Sequence, residues 1–344
     1  MAVDRASLQP GPMGWGVGVA KPLAQDLSML EANQEASPAF YTGRPGQPYQ
    51  EAYVKRVFES LAEFYPGLSA GFTQWALGRY GSALDLNMQR LPAQVIGSCV
   101  ASGGGRVFGY RTLTQILIYG KFELLMGRDL TGDNSVASYM PYNYGWGRKI
   151  AGLRGGDGSF CAPHIESFRL HGALDCNTAG LTGRKPEPSS ASEYRSWGNW
   201  NHIEDYEEEG KKIRLMESER IEDAERLWEV VVEQHKPCMI CSSWGFQPLR
   251  FLPQFNLWEY RHSGSWAHNM SISGGLDFNG DRFIDVGNTW GYNAHKPVPG
   301  LSDPGEDYGP NFYTSLDTAD AWLKQAVCMT IGDIDLLDSE DPQW

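Results

Sequence analysis

The spacing of apolar positions divides the chain into an irregular N-terminal arm, a helical middle and a strand-rich final third. Residues 1–47 are rich in Pro, Gly and small polar residues, show no period, and predict an extended arm. From Glu51 to Tyr65 the residues Val54, Phe58, Leu61 and Phe64 share one helical face, and Pro66 ends the pattern. Residues 67–93 carry only weak helix and turn signals. After Cys99 come four small residues, Ala101 to Gly104. Phe108, Leu113, Ile116, Leu117, Leu124 and Leu125 then predict a buried helix to about Met126. Residues 129–160 read as loop because of their glycines, and a short helix is predicted from Pro163 to His171, stopped at Gly172.

Residues 186–212 are polar, with an acidic run at Glu207–Glu209, and read as an exposed insertion. The strongest helical stripe follows from Glu219 to His235, formed by Ile221, Ala224, Leu227, Trp228, Val231 and Val232, with Pro237 as its stop. Strands are predicted at Cys238–Ser243, Asn269–Gly274 and Arg282–Val286, the last two joined by an Asn279-Gly280 hairpin turn. Residues 319–326 read as helix, 327–331 as strand, and the acidic stretch from Asp333 as a loose tail. Helices followed by strands predict an α+β protein.

Composition narrows the functional classes. The 344 residues carry 29 basic and 42 acidic side chains, a formal charge of −13. That balance argues against a nucleic-acid partner, which would call for a basic patch. No apolar run reaches the length of about 18 residues that a membrane span needs. Residues 1–20 lack the apolar core of a secretory signal, so the expected location is cytoplasmic or virion. Without such a signal, Cys99, Cys161, Cys176, Cys238, Cys241 and Cys328 are expected as reduced thiols, mostly buried.

Several motifs suggest chemistry. Gly67-Leu68-Ser69-Ala70-Gly71 matches a nucleophile elbow, but an amphipathic helix and Pro66 precede it, which favours a plain turn. His164-Ile165-Glu166 and Pro237-Cys238-Met239-Ile240-Cys241 match a zinc deaminase pattern. On a strand, however, residues three apart point to opposite faces, so Cys238 and Cys241 could not share one metal. Asp277 to Asp285 offers four local carboxylate or amide oxygens, too few for calcium, and the Asn-Gly turn explains the segment. No cofactor or metal is expected.

The third constellation is Gln94-Val95-Ile96-Gly97-Ser98-Cys99-Val100-Ala101, with Ala267-His268-Asn269 and Gly287-Asn288-Thr289-Trp290-Gly291 downstream. A cysteine nucleophile needs a His to carry its proton and a third group to hold the imidazole. Donors for the oxyanion could come from Gln94 and the Cys99 backbone N–H. A helix starting at Cys99 would favour the thiolate, giving a lowered pKa and reaction at mildly acidic pH. His268 and Asn288 lie on successive predicted strands, so pairing would bring them together.

This set resembles the papain-like cysteine peptidases. The matching features are a Gln shortly before G-S-C-x-A, a helix carried by the Cys, a strand-borne His, and N-T-W-G. Gly155-Gly156 and the helix ending in His171-Gly172-Ala173-Leu174 resemble the family's Gly-Gly substrate loop and the helix after it. His268 lies 169 residues after Cys99, against about 130–150 in the family; the polar segment 186–212 can absorb much of the excess. The resemblance implies a two-part fold, a helical half and a β-barrel-like half with the site between them. It implies an arm and helical extension over 1–85, the core over 86–300, and a C-terminal extension over 301–344. In roles, it implies Cys99 as nucleophile, His268 as base and acid, Asn288 as orienter, Gln94 as oxyanion donor, and Trp290 as cover for the Asn–His bond. Gly155 and Gly156 would bind substrate backbone as an added strand. The expected function is hydrolysis of peptide or isopeptide bonds through a thioester, the partner being a peptide or protein substrate. The alternatives are an assembly protein, perhaps of a virion, using residues 1–47 to hold its partners, and a cell-wall amidase.

Overall fold

The computed structural model describes residues 68–70, 94–119, 138–176, 178–181, 184, 190–252, 257–278, 280–289 and 311–335. The arm, the expected helix at 51–65 and the end of the tail lie outside these residues. The architecture is α+β, as the order of patterns predicts.

Three helices build the helical half: α1 (Cys99–Tyr119), α2 (Met140–Ile150) and α3 (Cys161–Leu170). The first is buried all round over its first half, and its small residues make this possible. A Cβ on Gly103 would lie 1.7 Å from Asn269 Oδ1, one on Gly104 2.6 Å from the His164 ring, and one on Gly105 2.7 Å from Met140 Cγ. Three successive glycines thus let three different elements approach the helix backbone. In place of the loop expected over 129–160 stands α2, carrying Pro141 in its first turn, where a missing N–H costs nothing. Its glycines serve contact: a Cβ on Gly145 would meet the Trp197 carbonyl oxygen at 2.6 Å.

The segment expected as an exposed insertion is folded. It contains α4 (Ala191–Gly198), a 3-10 turn at Glu204–Tyr206 and α5 (Glu207–Gly210). Its surface is polar, but Trp197 and Ile203 enter the core of the helical half with Tyr139, Tyr142 and Trp146. A few aromatic anchors set among charged residues escape a periodicity reading.

Strands β1 (Leu68–Ala70), β3 (Arg220–Ile221), β4 (Cys238–Leu252), β5 (Leu257–Phe278), β6 (Asp281–Gly287), β7 (Asn311–Ser315) and β8 (Val327–Thr330) form one sheet. Their order is β3-β8-β4-β5-β6-β7, with β1 paired to β5. Register shifts bend β4 against β5, and β7 pairs with β6 while touching β5 at Tyr313 and Glu259. The sheet therefore curls back on itself, with β7 meeting both β6 and β5, although the described strands are not a true barrel. At the hairpin Gly280 takes φ +95° and donates its N–H to Asp277 Oδ1 at 2.9 Å, while Arg282 pairs with the same carboxylate. Asp285 instead accepts from Ser273 in the interior, so these acids do not converge on a cation.

The pattern from 219 to 235 is not one helix. Strand β3 comes first, Asp223 caps α6 (Ala224–Trp228), and a π-helical turn over Glu229–Glu233 completes it. The apolar stripe nevertheless packs into the β-half core as its spacing predicts. Leu68–Ala70, expected as a turn, is β1. The chain continues through α7 (Leu316–Leu323) and β8. The supposedly loose residues after Asp333 include β9 (Ile334–Asp335), which pairs with β2 (Arg214–Leu215). Arg111 of α1 holds this region by donating to Gly332 O, His235 O and Asp333 Oδ1.

Candidate active site

Cys99 is the first residue of α1. The Ser98 carbonyl accepts the N–H groups of Ala101 and Ser102, which starts the helix there, and the burial of Val100 and Ala101 pins the first turn. Gly97 packs closely on the next loop, where its Cβ would be 3.2 Å from Asp157 Cβ. On the other side, the Cys99 sulfur accepts from the backbone N–H of Asn269, the residue after His268 on β5. The Cys-bearing helix and the His-bearing strand thus meet at this point.

His268 is buried, and its Nε2 lies 2.8 Å from Asn288 Oδ1. Asn288 follows β6 directly and is itself buried. Its Oδ1 also accepts the Thr289 N–H at 2.7 Å, which identifies this atom as the oxygen and makes Nε2–H of His268 the donor. In the neutral imidazole the basic nitrogen is then Nδ1. The Asn288 backbone carbonyl accepts from Arg106 of α1 at 2.9 Å.

Gln94 is tied to the segment that carries Asn288. Its N–H donates to Thr289 O at 3.1 Å, and its Oε1 accepts from Thr289 Oγ1 at 2.7 Å. The amide NH2 keeps its donor capacity. Gly155 and Gly156 lie in the loop between α2 and α3, both left-handed, with φ of +67° and +61°. The Gly155 N–H donates to Asn199 Oδ1, and its carbonyl accepts from Arg148. The Gly155 backbone groups are thus engaged within the protein. Trp290 lies outside the described residues.

The electrostatics also differ from expectation. Burial pushes the Cys99 thiol up to about 11, against the pull of the Asn269 N–H. Burial likewise lowers His268, opposed by its bond to Asn288. Burial thus works against the charged form of each group, where the helix start alone would favour a thiolate. Desolvation of the charged forms outweighs the helix terminus.

The sequence matches no protein-family model and no curated protein. Among solved structures it is similar to xylellain, a cysteine protease from Xylella fastidiosa, with 16% identity and a TM-score of 0.45 over 71% of this chain and 82% of that one. It is also similar to the ragweed pollen allergen Amb a 11, a cysteine protease in its proform, with 14% identity and a TM-score of 0.36 over 72% and 65%. Digestive procathepsin L 3 of Tenebrio molitor shares 12% identity at a TM-score of 0.35, over 90% and 99%. The likeness is to cysteine proteases.

Two residues at the site had little sequence signal. Arg106 is one of two arginines, with Arg111, in a helix made largely of small and apolar residues, and only that oddity marks it. Asn269 looks like an ordinary strand residue, yet its Nδ2 donates to Ile240 O at 3.3 Å and contacts Cys241 Sγ at 3.2 Å and Cys161 Sγ at 3.8 Å. The deaminase pattern dissolves geometrically. Cys238 packs in the β-half core, whereas Cys241 faces α1 and α3 on the other side of the sheet. His164 is wholly buried, edge-on to Phe168.

Proposed function

We propose that this chain is a papain-like cysteine hydrolase acting on peptide or isopeptide bonds. The observation that carries the reading is the His268–Asn288 hydrogen bond beside a helix-start cysteine held by the N–H of Asn269. In this reading Cys99 Sγ attacks the scissile carbonyl carbon while its proton passes to Nδ1 of His268. The Cys99 N–H and the Gln94 amide stabilise the oxyanion. The imidazolium then protonates the leaving amine, leaving a thioester. Water, deprotonated by the same nitrogen, attacks the thioester and frees the acid and the thiol. Asn288 stays neutral and keeps Nδ1 aimed at the thiol.

The test is a library of peptides, beside purified peptidoglycan, with native chain, Cys99→Ala and Asn288→Ala. Native protein should cleave peptides, Cys99→Ala should not, and Asn288→Ala should retain activity lowered about 100-fold, the scale of a small misplacement. Cleavage that survives in Cys99→Ala, or release of peptidoglycan fragments without any peptide cleavage, overturns the reading.

A further inference from the structure

Cys241 is flanked by Asn269 of β5 on one side and Val327 of β8 on the other, each directly opposite it in register. The Cys161 thiol, at the first residue of α3, reaches groups on both flanking strands: Asn269 Nδ2 at 3.8 Å and Val327 O at 3.6 Å. A sulfur that touches both neighbours of a central strand residue lies over that residue. The same Asn269 amide contacts Cys241 Sγ at 3.2 Å, so both sulfurs share one donor. Cys241 is partly exposed beside the exposed Val327, whereas Cys161 is buried.

We propose that Cys161 and Cys241 form a redox-active dithiol, closed to a disulfide by a hydroperoxide and reopened by a thiol reductant. In the first step the Cys241 thiolate attacks the hydroperoxide; an S–O bond forms, the O–O bond breaks, and an alcohol or water leaves after taking up the thiol proton. In the second step the Cys161 thiolate attacks that sulfenic sulfur; the S–S bond forms, and the S–O bond breaks to release water. Two thiols are oxidised and one hydroperoxide is reduced. Burial raises the Cys161 thiol well above its ordinary value, so the second step should quicken with pH. The bridge would tie the first turn of α3 to β4 beside Cys99. The proposal stands apart from the hydrolase reading, because its readout is a covalent bond.

The experiment treats the full chain with hydrogen peroxide, caps remaining thiols with N-ethylmaleimide and maps the peptides by mass spectrometry. One link joining Cys161 to Cys241, reversed by dithiothreitol, is expected; it should vanish in Cys161→Ser and in Cys241→Ser and persist in Cys99→Ser. Phenylarsine oxide, which needs two adjacent thiols, should protect the same pair on the unoxidised native chain, a measurement that does not depend on any variant folding. A link from Cys99 to Cys241, over-oxidation of Cys241 without a link, or arsenical protection of another pair overturns the proposal.

Discussion

A thiol at the first residue of a helix gains about 0.3–1 kcal/mol of thiolate stabilisation from the helix terminus. Cys99 receives that and the Asn269 N–H as well, yet burial still carries it to about 11. Its folded pKa is raised, so the thiol form dominates below that value and the thiolate fraction grows about tenfold per pH unit towards it. Only the thiolate alkylates. The iodoacetamide rate at Cys99, read by peptide mapping, should therefore climb steadily from pH 6 to pH 10, without an acid-side plateau. A rate already level below pH 7 would mean that Cys99 rests as a thiolate, and the dominance of burial over the helix terminus would be refuted.

At the scale of elements, glycine divides into two kinds. Gly103→Ala would add a Cβ 1.7 Å from Asn269 Oδ1. The gain in helix propensity is about 1 kcal/mol, whereas forced overpacking costs about 1–3 kcal/mol and displaces the strand that carries His268. Gly156→Ala meets open space, and its cost is the left-handed backbone at φ +61°, about 1–2 kcal/mol. Both variants should melt earlier than the native chain. Only Gly103→Ala should also change Cys99 alkylation, and unchanged alkylation there would refute the close packing of α1 on β5. The same glycines explain what the sequence concealed. Periodicity revealed the Ile221–Val232 stripe and the strands around the Asn-Gly turn, because their apolar positions face a single core. It missed α2, where Gly145 and Gly147 mark close approach and not chain breaks. The Cys99, His268 and Asn288 positions were legible as residue types in order, but burial, which sets their charge states, is a property of the assembled fold.

Across the whole molecule, the helical half and the sheet are joined through buried polar groups as well as apolar ones. Arg111 spans the junction to His235 O, Gly332 O and Asp333, and His235 beside it is buried enough, and close enough to that cation, to fall to about 3. His164, between α1 and α2, falls to about 3 through burial alone. A histidine whose folded pKa is depressed contributes stability above its unfolded value near 6.5, lost as pH falls through the window down to the folded value. Each contributes a slope of up to ~1.4 kcal/mol per pH unit within that window. The salt-bridged carboxylates Glu166, Glu207, Glu219 and Asp320 are also depressed, but they lose their contribution only below their ordinary values of 4.5 and 3.8. Between pH 6.5 and about 5 the loss therefore belongs to histidines, with His171 and His268 adding in the same direction. Urea midpoints should fall clearly from pH 7 to pH 5. A double variant, His164→Gln with His235→Asn, should flatten that fall, asparagine being suited to the left-handed φ of +58° at 235. An equal fall in the double variant would show that the acid sensitivity lies elsewhere than at the junction of the two halves.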